Sequence, residues 1–349
     1  MIANIQSITQ LEDGWLQVRV PLPFSLKWVN AYLLPEAEGW TLIDPGLRTE
    51  ETEAFWGAVL SEQDIGWQDI KAIVLTHHHP DHYGMAGWFQ EQTGAKVYLS
   101  QAALNSAERL WGENEIFSEQ LTQAFLCHGL AQELTEDMRE HMRGFRERVS
   151  PQPAETVILQ PGTIFRMGLV DWEIYSGEGH APGHLIFYDR ASGRLLCGDQ
   201  VLPDISPNIG WMPGGDPDPL GSFLISLQEL LPLEVGMVFP GHRNPFPQYR
   251  QRIQELLEHH ERRLVKMTEL LGEEERSAFE LCELMFGTKL RGNTHNLRFA
   301  LAETIAHLIQ LEQRKLIARV ELDDESAGGV SESLGEPRLI RYRRIISLA

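Results

Sequence analysis

Residues 71–82 read KAIVLTHHHPDH, an apolar segment that runs directly into His77, His78, His79, Asp81 and His82. A continuous apolar run such as Ala72 to Leu75 suits a buried strand, which would deliver the histidines to its carboxyl end. In extended chain, residues two apart point to the same side. His77 and His79 can therefore share one cation while His78 faces away, and a turn at Pro80 lets Asp81 and His82 reach a second. Neutral imidazoles and carboxylates suit zinc, with iron or manganese as alternatives.

The chain carries 13 histidines, so an accidental surface run is the competing reading. The rest of the chain argues against it. His180 in GEGHAPGH (177–184), Asp199 in CGDQ (197–200) and His242 in FPGHRNP (239–245) each follow an expected strand, on a loop.

Outward from this cluster the pattern is mixed. Residues 1–46 read as an antiparallel opening sheet, with Leu16, Val18 and Val20 alternating with polar neighbours. A short helix is expected over 50–60, another over 84–94, and a strand over 96–99. The stretch 102–148 has helical character and reads as an insertion. Strands return in ETVIL, TIFRMG, VDWEIYS, HLIFYD and RLLCGDQV, separated by Gly, Pro and Asp turns. Beyond Pro247, Ile253, Leu256, Leu257, Leu264, Met267, Leu270 and Leu271 recur at helical spacing. Two further helices (277–286 and 296–313) precede IARVEL and RLIRYRRI, a pattern that resembles a winged helix. The expected division is 1–250, a connecting helix over 251–271, and a mostly helical, winged-helix-like domain over 272–349.

The ligand pattern resembles that of the metallo-β-lactamase superfamily: His-x-His-x-Asp-His, then a histidine, an aspartate and a histidine at later strand ends. The resemblance implies an α/β fold, an αββα sandwich of two facing mixed sheets, over roughly residues 1–250. It also implies two divalent metal ions, expected to be zinc, with His77, His79 and His180 on the first, Asp81, His82 and His242 on the second, and Asp199 bridging both. Two such ions about 3.5–4 Å apart can share a hydroxide and polarise a carbonyl or phosphoryl oxygen. Asp81 would orient that hydroxide as the catalytic carboxylate. Both Asp81 and Asp199 are carboxylates, as in the glyoxalase II and nuclease branches, so antibiotic hydrolysis is not the leading expectation.

Several neighbours invite a role. His184, four residues after His180, is expected beside the site or in packing rather than on metal, and His78 likewise. Asp44, in LIDPG, is expected to hydrogen-bond a ligand or a loop amide. Tyr83 and Arg243 adjoin ligands, and Arg243 could meet an anionic group of the substrate. His128, His141, His259, His260, His295 and His307 lack ligand spacing and are read as structural or exposed. Trp111, Phe117, Phe125 and Phe145 could line a cleft under a lid, but their spacing more often packs a helix.

The chain has 349 residues, 42% hydrophobic and 23% charged, long enough for one large domain and a smaller one. No apolar run is long enough for a membrane span, and the amino-terminal residues lack the pattern of a secretory signal, so a cytoplasmic location is expected. Three scattered cysteines, Cys127, Cys197 and Cys282, exclude a disulfide framework and are read as buried thiols.

Two reactions fit the ligand set. One is hydrolysis of a small acyl substrate, a thioester, ester or lactone. The other is phosphodiester cleavage, since a lactamase-like domain followed by a winged helix resembles the lactamase-like endoribonucleases. A net charge of −20 opposes broad binding to nucleic acid. Residues 272–349 hold eleven Lys and Arg against thirteen Asp and Glu, and the expected wing, ELDDESAGGVSESLGE, is acidic, whereas a nucleic-acid-reading wing is normally basic. Arg338, Arg341, Arg343 and Arg344 could still display charge on one side of a hairpin. The module could instead pack or form a homodimer. A noncatalytic protein that has lost its metals is the third class, disfavoured because no ligand is missing.

Overall fold

The computed structural model describes residues 7–112, 116–322 and 338–345. They fall into two compact units. The first is built from residues within 1–113, 144–207 and 226–254, and the second from 114–143, 208–225 and 255–349.

The chain opens with β1 (Ile8–Gln10), β2 (Leu16–Pro21), β3 (Trp28–Glu36) and β4 (Gly39–Ile43), paired antiparallel in sequence order. Helix α1 (Glu50–Glu62) starts where Thr49 Oγ1 accepts the Thr52 amide at 3.1 Å, satisfying an amide that the first turn leaves free. It returns the chain to β5 (Ile70–Val74), which pairs parallel with β4. A single helical turn, α2 (Pro80–Tyr83), and α3 (Ala86–Thr93) lead to β6 (Lys96–Ser100), parallel to β5.

Three helices follow, α4 (Gln101–Trp111), α5 (Ile116–Cys127) and α6 (Thr135–Glu147), as the helical reading of 102–148 requires. The chain then supplies β7 (Thr156–Leu159), parallel to β6, which completes a mixed sheet ordered β1-β2-β3-β4-β5-β6-β7.

The second sheet of this unit comprises β8 (Ile164–Met167), β9 (Val170–Gly177), β10 (His184–Asp189) and β11 (Arg194–Gly198). After α7 (Pro219–Leu230) it gains β12 (Met237–Pro240). Its order is β12-β11-β10-β9-β8, antiparallel except where β12 runs parallel to β11. The two sheets face each other through one apolar cluster. Trp15, just before β2, with Tyr32, Leu34, Ile43 and Val74 from the first, meets Trp172, Ile174, Leu185, Phe187, Leu196 and Phe239 from the second. On the first sheet's other face, α1 packs against β2 and α3 against β5 and β6, where Trp56 meets Phe89 edge to face at 5.2 Å.

Helix α8 (Tyr249–Leu271) begins in the first unit and ends in the second. The second unit also holds α9 (Ala278–Phe286), α10 (Thr294–Gln313) and a hairpin of β13 (Ile317–Leu322) and β14 (Leu339–Arg344). Helix α9 starts with a capping box, Ser277 and Glu280 each binding the other's amide. Helices followed by a two-stranded hairpin match the expected element order. Residues 323–337, most of the acidic wing, lie outside the described residues.

Trp111, Phe117, Phe125 and Phe145 are all buried. Trp111 and Phe145 pack ring to ring at 6.0 Å in the first unit, while Phe117 and Phe125 belong to the second. Each is a core residue of its own unit. Cys197 and Cys282 are buried as expected, and Cys127 is half-buried. Among the described residues no helix is long and apolar enough to cross a membrane.

Candidate metal centre

β5 ends at Val74, and the next residues are pinned rather than free: Leu75 N donates to Tyr98 O at 2.9 Å, and Leu185 N to Thr76 O at 2.8 Å. His79 precedes a proline and is accordingly extended, at φ −64° and ψ 145°. Pro80 then opens α2, where its missing N–H costs nothing. The amides of His82 and Tyr83 both donate to His79 O, at 3.0 and 2.9 Å. This one turn brings His82 back beside His77, with ring centroids 4.1 Å apart, and Asp81 beside His242.

The other residues come from strand ends of the second sheet: His180 between β9 and β10, Asp199 directly after β11, and His242 after β12. Ligand-capable atoms of His77, His79 and His180 lie within 4.8 Å of one another, as do those of Asp81, His82 and His242, and those of His77, His82 and Asp199. Asp199 stands between the first two sets: Oδ2 is 3.6 Å from His180 Nε2 and 3.4 Å from His242 Nε2, and Oδ1 is 3.4 Å from His82 Nε2. Asp81 Oδ2 approaches His242 Nε2 at 3.2 Å. A Cβ on Gly241 would fall 2.3 Å from Asp199 Oδ1, so only glycine lets the loop before His242 come this close.

Three of the histidines are oriented by the atom behind them. His242 Nδ1 donates to the carbonyl of Trp28 at 3.0 Å. His82 Nδ1 donates to Asp44 Oδ2 at 2.9 Å. Thr76 Oγ1 gives its proton to Asp44 Oδ2 at 2.7 Å, so at 2.9 Å it accepts from His77 Nδ1. Each ring thus carries its proton on Nδ1 and turns Nε2 inward. Asp44 itself is buried in the left-handed region at φ 50°, its Oδ1 receiving the Thr76 amide at 2.8 Å. The expectation for Asp44, a ligand or a loop amide, is met on both counts.

The donor set fits cations. Nε2 of His77 and His82 and Oδ1 of Asp199 are buried with no hydrogen-bond partner among the described residues, an arrangement that is costly unless something else satisfies them. Burial opposes charge on His82 and His242, yet Asp199, with Asp44 and Asp81 for His82 and Asp81 for His242, outweighs it. The carboxylates hold His82 well above the usual range and His242 up to about 10. Burial and the neighbouring imidazoles push His77 and His79 the other way and keep them neutral. Crowded carboxylates that demand positive charge beside neutral imidazoles with inward lone pairs are what divalent metals require.

The remaining candidates sit apart. His78 is buried, and Trp111 Nε1 donates to its carbonyl at 3.3 Å. Tyr83 is buried and gives its hydroxyl to Gln152 Oε1 at 2.6 Å. Arg243, at φ 72°, pairs with Asp204 at 3.2 Å. Sequence reasoning missed Thr76, the Trp28 carbonyl and Asn30. The Asn30 amide holds Pro240 O at 2.9 Å and Arg243 O at 2.6 Å, clamping the His242 loop. A polar residue in the middle of WVNAYLL was the available signal.

Residues 29–242 match the model of the metallo-beta-lactamase superfamily. The chain belongs to that superfamily. Residues 264–331 match the metallo-beta-lactamase-like C-terminal domain. As a superfamily member the chain is a metal-dependent hydrolase, with His and Asp groups able to bind metal ions. It is 28% identical over 327 residues to a probable metallo-hydrolase of Bacillus subtilis, covering 86% of this chain and 93% of that one. An acyl-coenzyme A thioesterase of Gallus gallus is 26% identical, with 62% of this chain and 73% of that protein aligned. A crystal structure of a metallo-beta-lactamase family protein from Thermus thermophilus superposes with a TM-score of 0.80 at 35% identity, covering 95% of this chain and 99% of that one.

Proposed function

We propose that the chain hydrolyses a small acyl compound, a thioester, ester or lactone, with two divalent ions, zinc, held by His77, His79 and His180 and by Asp81, His82 and His242, and with Asp199 shared. The observation that carries this reading is the position of Asp199, each oxygen of which faces an imidazole of one or both sets at 3.4 to 3.6 Å. Two such ions would supply an acidified water and a Lewis acid for the scissile carbonyl.

The chain's own residues supply the rest. Asp81 is half-buried, and its Oδ2 is directed at His242. It is the carboxylate placed to orient the attacking water and accept its proton. Asp44, Thr76 and the Trp28 carbonyl keep the imidazole protons on the far side of the rings, so that no ring N–H competes for the inward positions. The likeness to an acyl-coenzyme A thioesterase supports the acyl class.

Phosphodiester cleavage of RNA is the second reading, favoured by the helices and hairpin of the C-terminal unit. Three arginines of its hairpin are engaged with acids: Arg341 with Glu280 at 2.9 Å, Arg319 with Glu321 at 3.0 Å and Arg343 with Glu275 at 3.9 Å. That arrangement supports a packing or homodimer role for the hairpin over a nucleic-acid role.

The test is metal-replete protein assayed in parallel on acyl thioesters, lactones and single-stranded RNA, with Asp81→Ala as the control. Acyl turnover lost in the variant supports the proposal. RNA cleavage alone, lost in the variant, would replace it with the second reading.

A further inference from the structure

His184 lies behind the ligand cluster, fully buried, its ring stacked on that of His77 at a centroid distance of 4.7 Å and an interplanar angle of 23°. Its Nε2 accepts the backbone N–H of Asp199 at 3.2 Å. An amide can only donate, so Nε2 is the bare nitrogen and the ring proton sits on Nδ1. His184 therefore offers no lone pair to a cation. It grips the main chain of the residue that stands between the two ligand sets.

The Nδ1–H is buried without a hydrogen-bond partner among the described residues, and so is Gln200 Oε1, one residue beyond Asp199. A Cβ built on Gly177 would lie 2.9 Å from His184 Nδ1 and 3.0 Å from Gln200 Oε1. Both atoms thus lie beside Gly177 without bonding each other. The Gln200 amide cannot be turned the other way, because its Nε2 already donates to Glu178 O and to Ser226 Oγ, both at 3.1 Å. Ser226 Oγ also accepts the Glu178 amide at 3.3 Å. Gln200 is as deeply buried as His184, and Ser226 is buried too.

We propose that His184 is the positioning residue of Asp199. The hydrogen bond from the Asp199 amide to its Nε2 fixes the main chain of that residue and so holds the Asp199 carboxylate between the two proposed metal positions. The residue after Asp199 is held separately, Gln200 Nε2 donating to Glu178 O and Ser226 Oγ, so the loop after β11 is fixed at two consecutive residues. A ring that only filled space would not need an acceptor at Nε2.

The test rests on the ligand assignment but needs no substrate. Zinc affinity of the full-length chain is measured by chelator competition for the wild type, His184→Phe and His184→Gln. Gln keeps an acceptor near the position of Nε2, and Phe keeps only the ring. Outer partners of metal ligands contribute about 10–100-fold in affinity. The expected result is a loss of that order in His184→Phe and rescue to within a few-fold of wild type in His184→Gln. Wild-type affinity in His184→Phe, or equal losses in both variants, would overturn the proposal. If His184→Phe does not fold, His184→Asn keeps a polar side chain that is too short to reach the Asp199 amide. A several-fold loss of zinc affinity is expected there, and unchanged affinity would overturn the proposal. Because zinc affinity is read without substrate, a failure of the proposed acyl reaction leaves this readout unchanged.

Discussion

Asp44 Oδ2 lies 2.9 Å from His82 Nδ1 and 2.7 Å from Thr76 Oγ1, so one buried carboxylate orients His82 directly and His77 through a threonine hydroxyl. In the proposed assignment the two imidazoles serve different metal ions, while their ligand atoms also lie within 4.8 Å of each other and of Asp199. A change at Asp44 should therefore weaken both metal positions together. Asp44→Ala is expected to lower zinc affinity by about 10–100-fold, read by chelator competition on protein whose circular dichroism is unchanged. Loss at one position only would show that His77 is oriented by something other than Thr76.

Metal removal should cost stability as well as activity. Ions that bind only the folded chain stabilise it by about 4 kcal/mol when free metal is a thousandfold above Kd. Treatment with a strong chelator is expected to lower Tm by several degrees, and zinc should restore it. A Tm insensitive to chelation and zinc would mean that the cluster is held together without cations.

Much of this centre was legible because it is local. His77, His79, Asp81 and His82 sit in six residues, and the extended chain followed by a proline turn sets their directions whatever the rest of the fold does. His180, Asp199 and His242 could be found because each follows a strand signal. What stayed hidden acts across the chain. Asn30 reaches Pro240 O over 210 positions, and the Trp28 carbonyl meets His242 over 214. No spacing in the sequence announces such pairs. His180 and His184 look alike in GEGHAPGH, and what separates them chemically is a backbone amide at Asp199. The composition of the second unit from three separate segments was hidden for the same reason, since only folding brings 114–143 and 208–225 into one compact body with the C-terminal residues.

The second unit should be acid-sensitive through its buried histidines. Burial pushes His128 down to about 4, His307 to about 3 and His260 to about 2, against about 6.5 in unfolded chain. Their folded-state values are depressed, so the unfolded chain takes up protons first as pH falls. The stability is fully present above about pH 6.5 and is lost progressively toward the folded values. Each group adds a slope of up to about 1.4 kcal/mol per pH unit. Denaturant titrations between pH 7 and pH 5 should show this loss, and His307→Gln should flatten it by close to one proton. A variant slope equal to wild type would mean that His307 is protonated in the folded protein.

The interface of the two sheets makes a separate expectation. Trp172 is fully buried within the shared cluster, 5.6 Å from Trp15, and its Nε1 donates to Met167 O at 3.0 Å. Trp172→Ala is expected to cost about 3–5 kcal/mol, measured as a shift in the denaturant midpoint. A cost below about 1 kcal/mol would indicate that the sandwich does not depend on this contact.

The most direct test of the centre is anomalous scattering at the zinc edge from crystals of zinc-loaded protein. Two peaks about 3.5–4 Å apart are expected, one among His77, His79 and His180 and one among Asp81, His82 and His242, with Asp199 contacting both. A single peak, or zinc bound away from these residues, would contradict this assignment.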